Sequence, residues 1–402
     1  MKKSFLLQFA AAAGIMISGF CCFAGDKIAV RESKTNLAAT AVDKYLKSGE
    51  LPGIISVFYQ NGVQETACLG WADVEKKMPV TMDSPFMQCS QTKGFCGVTI
   101  AILVEEGKIS LEDPVSKYLP EFKSLKVKNK KAGIVPAKNV LTIRHVMNHT
   151  GGFPFEIPTK VKKGWPALSL RDTAKEAAAL PLLFEPGTAV KYSNTGIDIG
   201  AAVIEVVTGK PWDIFLKERV LDPLGMKDTT FQPTDEMLSR AISMYHCEKG
   251  KPAKFRKFSH WMPLPHNGPT VFPSAGAGLW TTANDQLKFY KMLMNLGKGD
   301  NGVRIMKEET VKTLLATSTR PGKLGNYSLG LNADYANGSM GHGGAWKTGC
   351  TVNWKKKQLK LHVVQLTGYS RHWATDLNNA AKKFFDGKFD TSGTDAYTGR
   401  LK

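Results

Sequence analysis

Apolar residues recur at helical spacing through residues 36–48, where Leu37, Ala41 and Leu46 are the apolar positions, and this predicts an amphipathic helix. Residues Gly53–Tyr59 alternate weakly, turn at Asn61-Gly62 and return through Val63–Trp71. Asn-Gly between two strand-like runs predicts a β-hairpin. A second helix, Gly94–Glu106, carries Val98, Ile102 and Val104 and stops at Gly107. Thr142 can cap a short helix ending near Gly151. Ser169 with Asp172 has the form of a capped helix start, followed by an alanine-rich stretch ending at Pro186-Gly187. Further helices fit Thr195–Thr208, Trp212–Val220 and Asn284–Leu296. The last third returns to strands at Met340–Gly344, Cys350–Trp354 and Leu359–Leu366, with Lys355–Lys357 as a turn. A closing helix, Trp373–Phe385, precedes a polar tail at 386–402.

Strands therefore lie at both ends of the chain and helices fill the middle. This is an α+β pattern: one antiparallel sheet closed by distant N- and C-terminal segments and flanked by helices, with a mostly helical middle lobe. The sheet lobe is expected over about residues 37–90 and 270–385, the helical lobe over about 91–269, with ligands bound in the groove between them. No repeat of 20–50 residues is visible. At 402 residues and 43% apolar content the chain can bury a sizeable core, and its 22% charged and 9% aromatic content excludes a disordered polyelectrolyte.

Charge widens the choice of partners and the N-terminus narrows the compartment. Lys and Arg number 54 against 35 Asp and Glu, a formal net charge of +19. That balance suits nucleic acid, anionic lipid or an anionic wall polymer, but no zinc-finger spacing or long basic helix follows it up, so no nucleic-acid partner is expected. Residues 123–140 hold six Lys and no acid. They read as a solvated insertion, with an anionic envelope polymer as the partner considered for the run 123–131. Lys2 and Lys3 precede an apolar run from Phe5 to Phe23, and Cys22-Phe23-Ala24 offers small residues at the −3 and −1 positions of a cleavage site. Residues 1–24 thus read as a secretory signal peptide, leaving 25–402 as a single catalytic domain that is periplasmic or secreted from a bacterium. No later stretch approaches about 18 uninterrupted apolar residues, so no membrane insertion is expected after cleavage. Cys68, Cys89, Cys96, Cys247 and Cys350 remain, an odd number with no CxxC pair, and are read as buried, unpaired thiols.

Three segments carry candidate chemistry. In Ser90-Gln91-Thr92-Lys93 the i and i+3 positions share a helix face, so an amine can stand beside a hydroxyl, and the helix N-terminus adds N–H groups for developing negative charge. The bland reading is a surface Ser and Lys on a capped helix. In Tyr192-Ser193-Asn194 a phenol can shuttle protons while an amide fixes an acyl group. The same spacing at Tyr59–Asn61 and Tyr335–Asn337 is better explained by turns. The third segment is His342-Gly343-Gly344-Ala345, whose paired glycines let a substrate backbone approach. Its rival is Lys347-Thr348-Gly349: the offset of five from His342 to Lys347 puts the two side chains on opposite faces of one continuous strand, and spacing alone favours neither.

In that order, the three segments resemble the serine β-lactamase and penicillin-binding superfamily, and most closely the class C β-lactamase-related serine hydrolases, which include esterases and D-amino-acid peptidases. Supporting stretches are Gly70–Asp73, Leu103–Val115, Asn148–Gly152, Glu185–Gly187 and Ala275–Leu279, and the similarity runs from about residue 37 to about 385. The resemblance implies a β-lactamase/transpeptidase-like fold. It further implies Ser90 as acylating nucleophile, Lys93 as its base partner, Tyr192 as general base and acid, and Asn194 as a substrate-positioning amide. Gly341–Ala345 matches the family's third motif better than Lys347–Gly349, so His342 and Gly344 would line the groove. The oxyanion would rest on the N–H groups of Ser90 and Ala345. Penicillin-recognising members usually carry Lys where this chain has His342, which shifts the expected substrate away from carboxylate-bearing β-lactams.

Other residues read more plainly. His145 and His149 are four apart, a metal-compatible spacing, but no Glu follows His145, and neither metal nor cofactor is expected. His260 and His266 fall in a loop over the groove, Trp280, Trp346 and Trp373 in core or wall, and Asp285 after Thr282 in a helix cap. The expectation is an exported serine hydrolase acting on a small-molecule ester, amide or peptide. A β-lactamase or D-alanyl-D-alanine carboxypeptidase is one alternative, and a non-catalytic envelope-binding protein of the same fold is another.

Overall fold

The computed structural model describes residues 29–30, 36–158, 169–247, 256–257, 272–320, 324–368 and 372–387. The leader 1–24, His260, His266 and the tail beyond residue 387 lie outside the described residues.

The N-terminal segment supplies helix α1 (Leu37–Lys47) and strands β1 (Ala29–Val30), β2 (Gly53–Gln60), β3 (Val63–Asp73) and β4 (Met78–Pro79). Asn36 caps α1 by accepting from the Ala39 N–H at 2.8 Å. Asn61 and Gly62 join β2 to β3 with φ of 49° and 88°, the left-handed pair that a tight two-residue hairpin demands. Two-residue strands follow at β5 (Phe86–Met87), and helix α2 (Thr92–Glu105) begins the helical lobe. The lobe continues with the hairpin β6 (Lys126–Asn129) and β7 (Gly133–Pro136), then α3 (Ile143–Met147), α4 (Leu170–Ala179), α5 (Asn194–Thr208) and α6 (Trp212–Leu216). Short strands β8 (Tyr245–His246), β9 (Arg256–Lys257) and β10 (Trp280–Thr281) lead to helix α7 (Ala283–Met294). The chain closes with β11 (Asn332–Asp334), β12 (Ser339–Gly344), β13 (Thr348–Asn353), β14 (Gln358–Val363), β15 (Leu366–Thr367) and α8 (His372–Asp386).

The main sheet has the order β1-β3-β2-β14-β13-β12-β11, with β4 on β3, and is antiparallel except where β1 joins β3. Its centre is the β2–β14 pair, where Val57 stands opposite Leu361 and Ile55 opposite Val363, so the chain ends meet in the middle of the sheet as the element pattern predicts. Both faces are covered. Ile55, Val57, Leu359, Leu361 and Met340 pack into the main core with α2 and α7, while Ile54 and Phe58 pack with Tyr45 of α1 and Trp373, Leu377 and Phe384 of α8. Two covered faces explain why β2 alternates so weakly in sequence. Helix α2 is buried from Thr92 to Leu103, which accounts for its near-continuous apolar run.

Several details differ from the sequence pattern. The alanine-rich helix stops at Ala179, because Pro181 forces the residue before it out of the helical region. The stretch Trp212–Val220 changes at Leu216 into a wider turn, Lys217–Leu221, ahead of Pro223. The strand expected to reach Leu366 ends at Val363; Gln365, with φ 61°, redirects the chain so that β15 pairs with β8 instead. The lysine-rich insertion is a hairpin. Val127 is buried, whereas Lys126, Lys128 and Ile134 are exposed. Cys68, Cys89, Cys96 and Cys350 are free thiols, all buried but Cys68.

Candidate active site

Ser90 stands where β5 turns into α2. The preceding Cys89 is held at φ 51°, a left-handed conformation that non-glycine residues seldom adopt. The Cys89 thiol is buried, which pushes it up to about 12, and it faces the backbone N–H groups of Trp346 and Ala345. It is a neutral packing group. Trp346, Met87, Met244 and Trp280 form a small cluster with it behind the turn, leaving Ser90 half-buried and facing the cleft.

One turn along, Lys93 is fully buried. Its Nζ donates to Ser90 Oγ at 3.2 Å, Asn194 Oδ1 at 2.5 Å and the Gly276 carbonyl at 2.6 Å. Three acceptors around one amine suit the three donors of an ammonium. Asn194 opens α5, whose cap Ser193 accepts from the Gly196 N–H at 3.0 Å and donates to the Pro154 carbonyl at 2.6 Å. The Asn194 Nδ2 donates to Glu156 Oε1 at 2.7 Å.

Tyr192 lies just before that cap, next to Ser90. Desolvation pushes the phenol up to about 12, and the neighbouring Ser90 hydroxyl only partly offsets this. The Lys93 Nζ sits 4.6 Å from the Tyr192 ring centroid. The far side of the cleft is β12. A β-carbon on Gly344 would fall 2.5 Å from the Gln88 carbonyl and 3.3 Å from Cys89 Cβ, so only glycine lets this strand lie against the turn that precedes Ser90. Ala345 follows in the connection to β13.

The competition between His342 and Lys347 is resolved by where β12 ends. Residues 345–347 form the turn, with the Lys347 N–H donating to the Gly344 carbonyl at 3.2 Å, while His342 points inward and is 8% exposed. His342 Nδ1 lies 2.6 Å from the Gly343 carbonyl and Nε2 3.0 Å from the Tyr327 hydroxyl. A carbonyl only accepts, so Nδ1 carries the proton and the Tyr327 hydroxyl donates to Nε2. Burial and the nearby Lys93 charge push His342 down to about 3, so it is neutral at ordinary pH. A hollow of about 610 Å³ runs along β12 and β13 past Thr351, Lys360 and Trp373; His342, Gly344 and Ala345 line it, and none of Ser90, Lys93, Tyr192 and Asn194 does.

Thus the structure brings the expected residues Ser90, Lys93, Tyr192, Asn194, His342, Gly344 and Ala345 into one neighbourhood. His149 belongs there too, but as packing: buried with φ 67°, it lies between the rings of Tyr192 and Tyr327 at centroid distances of 4.4 and 4.7 Å and accepts the Ser193 N–H at 3.3 Å. Asp285 accepts from the Asp228 N–H and Thr229 beside its Thr282 cap, away from the nucleophile. Trp280, Trp346 and Trp373 are all buried. Sequence reasoning missed Tyr327 and Glu156, which carry no motif of their own. The Gly276 carbonyl had a signal in the glycine pattern of Ala275–Leu279.

Several known proteins are similar to this chain. Protein Rv1367c of Mycobacterium tuberculosis (strain ATCC 25618 / H37Rv) is 30% identical over 278 residues, 66% of this chain and 68% of that protein. Esterase EstB of Burkholderia gladioli is 27% identical over 271 residues, 61% of this chain and 66% of that protein. The solved structure of EstCE1, a hydrolase with promiscuous acyltransferase activity, superposes with a TM-score of 0.71 at 21% identity, covering 86% of this chain and 97% of that one. The fold is β-lactamase/transpeptidase-like, and the family model described as Beta-lactamase matches residues 38–367. The chain belongs to the beta-lactamase family.

Proposed function

We propose that this protein is an exported serine hydrolase that cleaves an ester or amide through an acyl-enzyme on Ser90. The single observation that carries the reading is the position of Lys93 Nζ, 3.2 Å from Ser90 Oγ and 4.6 Å from the centre of the Tyr192 ring, which brings hydroxyl, amine and phenol together. With Tyr192 in its ionised form, Ser90 Oγ attacks the acyl carbon as its proton passes to the phenolate oxygen. The carbonyl oxygen, now negative, is met by the N–H groups of Ser90 and Ala345. The leaving alcohol or amine takes the proton from Tyr192, and the acyl group stays on Ser90. Water then attacks the acyl carbon as it gives a proton to the Tyr192 phenolate, and Tyr192 passes that proton to Ser90 Oγ as the acyl–oxygen bond breaks and the acid leaves. Lys93 as an ammonium stabilises negative charge on the phenol and on Ser90, a role more consistent with its three acceptors than that of a neutral base.

The neutral His342 supports substrates without a carboxylate at that wall, because an uncharged imidazole offers no fixed cation. This favours an ester or amide over a β-lactam or a D-alanyl-D-alanine peptide. The relatives named an esterase and a hydrolase with acyltransferase activity point the same way. Export to the periplasm or beyond belongs to the same proposal and rests on Lys2, Lys3 and the apolar run to Phe23. The exposed lysines of the β6–β7 hairpin fit an anionic envelope polymer.

A fluorophosphonate probe tests the reading. The wild-type protein is expected to take label at Ser90 and to turn over chromogenic esters, and Ser90→Ala to lose both. A folded protein that stays unlabelled refutes the acyl-enzyme. Rapid opening or stable capture of a fluorescent penicillin instead identifies the β-lactam branch, and wall binding unaffected by Ser90→Ala with no turnover identifies a non-catalytic protein.

A further inference from the structure

The Asn194 amide is buried between two ionic groups of opposite kind. On one side the Lys93 Nζ, which only donates, approaches at 2.5 Å; on the other the Glu156 carboxylate, which only accepts, lies at 2.7 Å. Only one orientation of the amide satisfies both, with Oδ1 toward Lys93 and Nδ2 toward Glu156. We propose that Glu156 is a positioning residue that sets the direction of the Asn194 amide and, through it, the placement of the Lys93 ammonium beside Ser90.

The surrounding backbone removes other ways of doing this. A β-carbon on Gly276 would lie 2.6 Å from Asn194 Cβ and 2.8 Å from its Oδ1, so the amide is flanked by bare backbone whose carbonyl takes a second Lys93 bond. Asp198, one turn further along α5, accepts the Gly276 N–H at 3.0 Å and holds that segment in place. The helix thus presents Asn194 and Asp198 on one face, and Glu156 approaches Asn194 from the loop after α3. With Glu156 and Lys93 each occupying one end of the amide, a single Nδ2 hydrogen is left over. It points the donor side of the amide, never the acceptor side, toward an acyl group. A reversed amide would set its NH2 against the ammonium and its oxygen against the carboxylate, losing two charge-assisted bonds together.

The functional meaning rests on the hydrolase reading, but the polarity of the contact can be tested without it. Asn194→Asp puts a carboxylate against the Glu156 carboxylate; Glu156→Gln alone keeps an accepting oxygen toward Nδ2. The double variant exchanges the two groups, so that the new amide donates to the new carboxylate while Lys93 keeps an acceptor. Melting temperatures of all four proteins are expected to be non-additive, with Asn194→Asp below wild type and the double variant above that single variant by roughly 1–4 °C. Ester turnover is expected to follow, falling at least about tenfold in Asn194→Asp and recovering by a similar factor in the double variant. Additive melting temperatures, or an Asn194→Asp protein as stable as wild type, overturn the proposal. If the wild-type protein has no esterase activity, the hydrolase reading fails while the melting comparison still decides this one.

Discussion

At the scale of single residues, the site holds two groups whose proton affinities are shifted away from those of the free side chains. His342 is neutral because it is buried beside a cation, and Tyr192 keeps its proton because its hydroxyl is poorly hydrated. The phenol raised to about 12 has a consequence for rate. The reactive ionised form is scarce at neutral pH and its fraction grows about tenfold per pH unit below that value. The rate of Ser90 labelling by a fluorophosphonate is therefore expected to climb steadily between pH 7 and 10, and Tyr192→Phe to abolish the climb. A labelling rate flat across that range would count against Tyr192 as the base. Ser90, Lys93, Tyr192, Asn194 and His342 could be picked out from sequence because each sits in a short segment with a characteristic spacing. Tyr327 and Glu156 could not, since their partners, His342 and Asn194, are brought to them only by the folded chain.

At the scale of elements, the position of the nucleophile depends on how α2 is clamped. Phe95 on α2 and Phe289 on α7 stack with centroids 3.7 Å apart, both fully buried. Phe289→Ala is expected to cost about 3–5 kcal/mol, as large buried truncations do, and to reduce turnover by letting the start of α2 shift. Chemical denaturation of the variant measures the first effect, and a loss under about 1 kcal/mol would show that α2 is held elsewhere. Elements with one strong local signal could be read in advance: the Asn61-Gly62 hairpin and the capped helices are of this kind. Their interruptions were harder. Nothing in the composition around Val364 and Gln365 announces the bend at φ 61°, because pairing with β8, about 120 residues earlier in the chain, determines it. The His342–Lys347 ambiguity is of the same type. Period-two alternation separates the two faces of a strand but does not say where the strand stops.

At the scale of the whole molecule, burying imidazoles in their neutral form makes the fold sensitive to acid. His149 and His342 are both held below their ordinary value by burial and by neighbouring positive charge, His342 at about 3. An unfolded chain binds those protons near pH 6.5 and the folded chain does not, so stability is complete above that pH and is lost as pH falls toward 3. Each such group contributes a slope of about 1.4 kcal/mol per pH unit within the window. Melting temperatures are expected to drop steeply from pH 6.5 to 4. A melting curve unchanged over that interval would mean that these imidazoles are protonated in the folded protein after all. The closure of the main sheet by distant segments could be anticipated from the distribution of strands and helices, because the runs that form that sheet lie towards the two ends of the chain.

That layout also governs when the protein can first act. The nucleophile is made early, yet β12, which forms its opposite wall, and β14, which fills the gap beside β2, come from the last quarter of the chain. A chain synthesised only as far as Asn194 would possess the Ser90 hydroxyl, the Lys93 amine and the Tyr192 phenol without the β12 strand that packs against the turn before Ser90. On the hydrolase proposal, activity is expected only once the C-terminal strands have docked against β2 and the turn that holds Ser90.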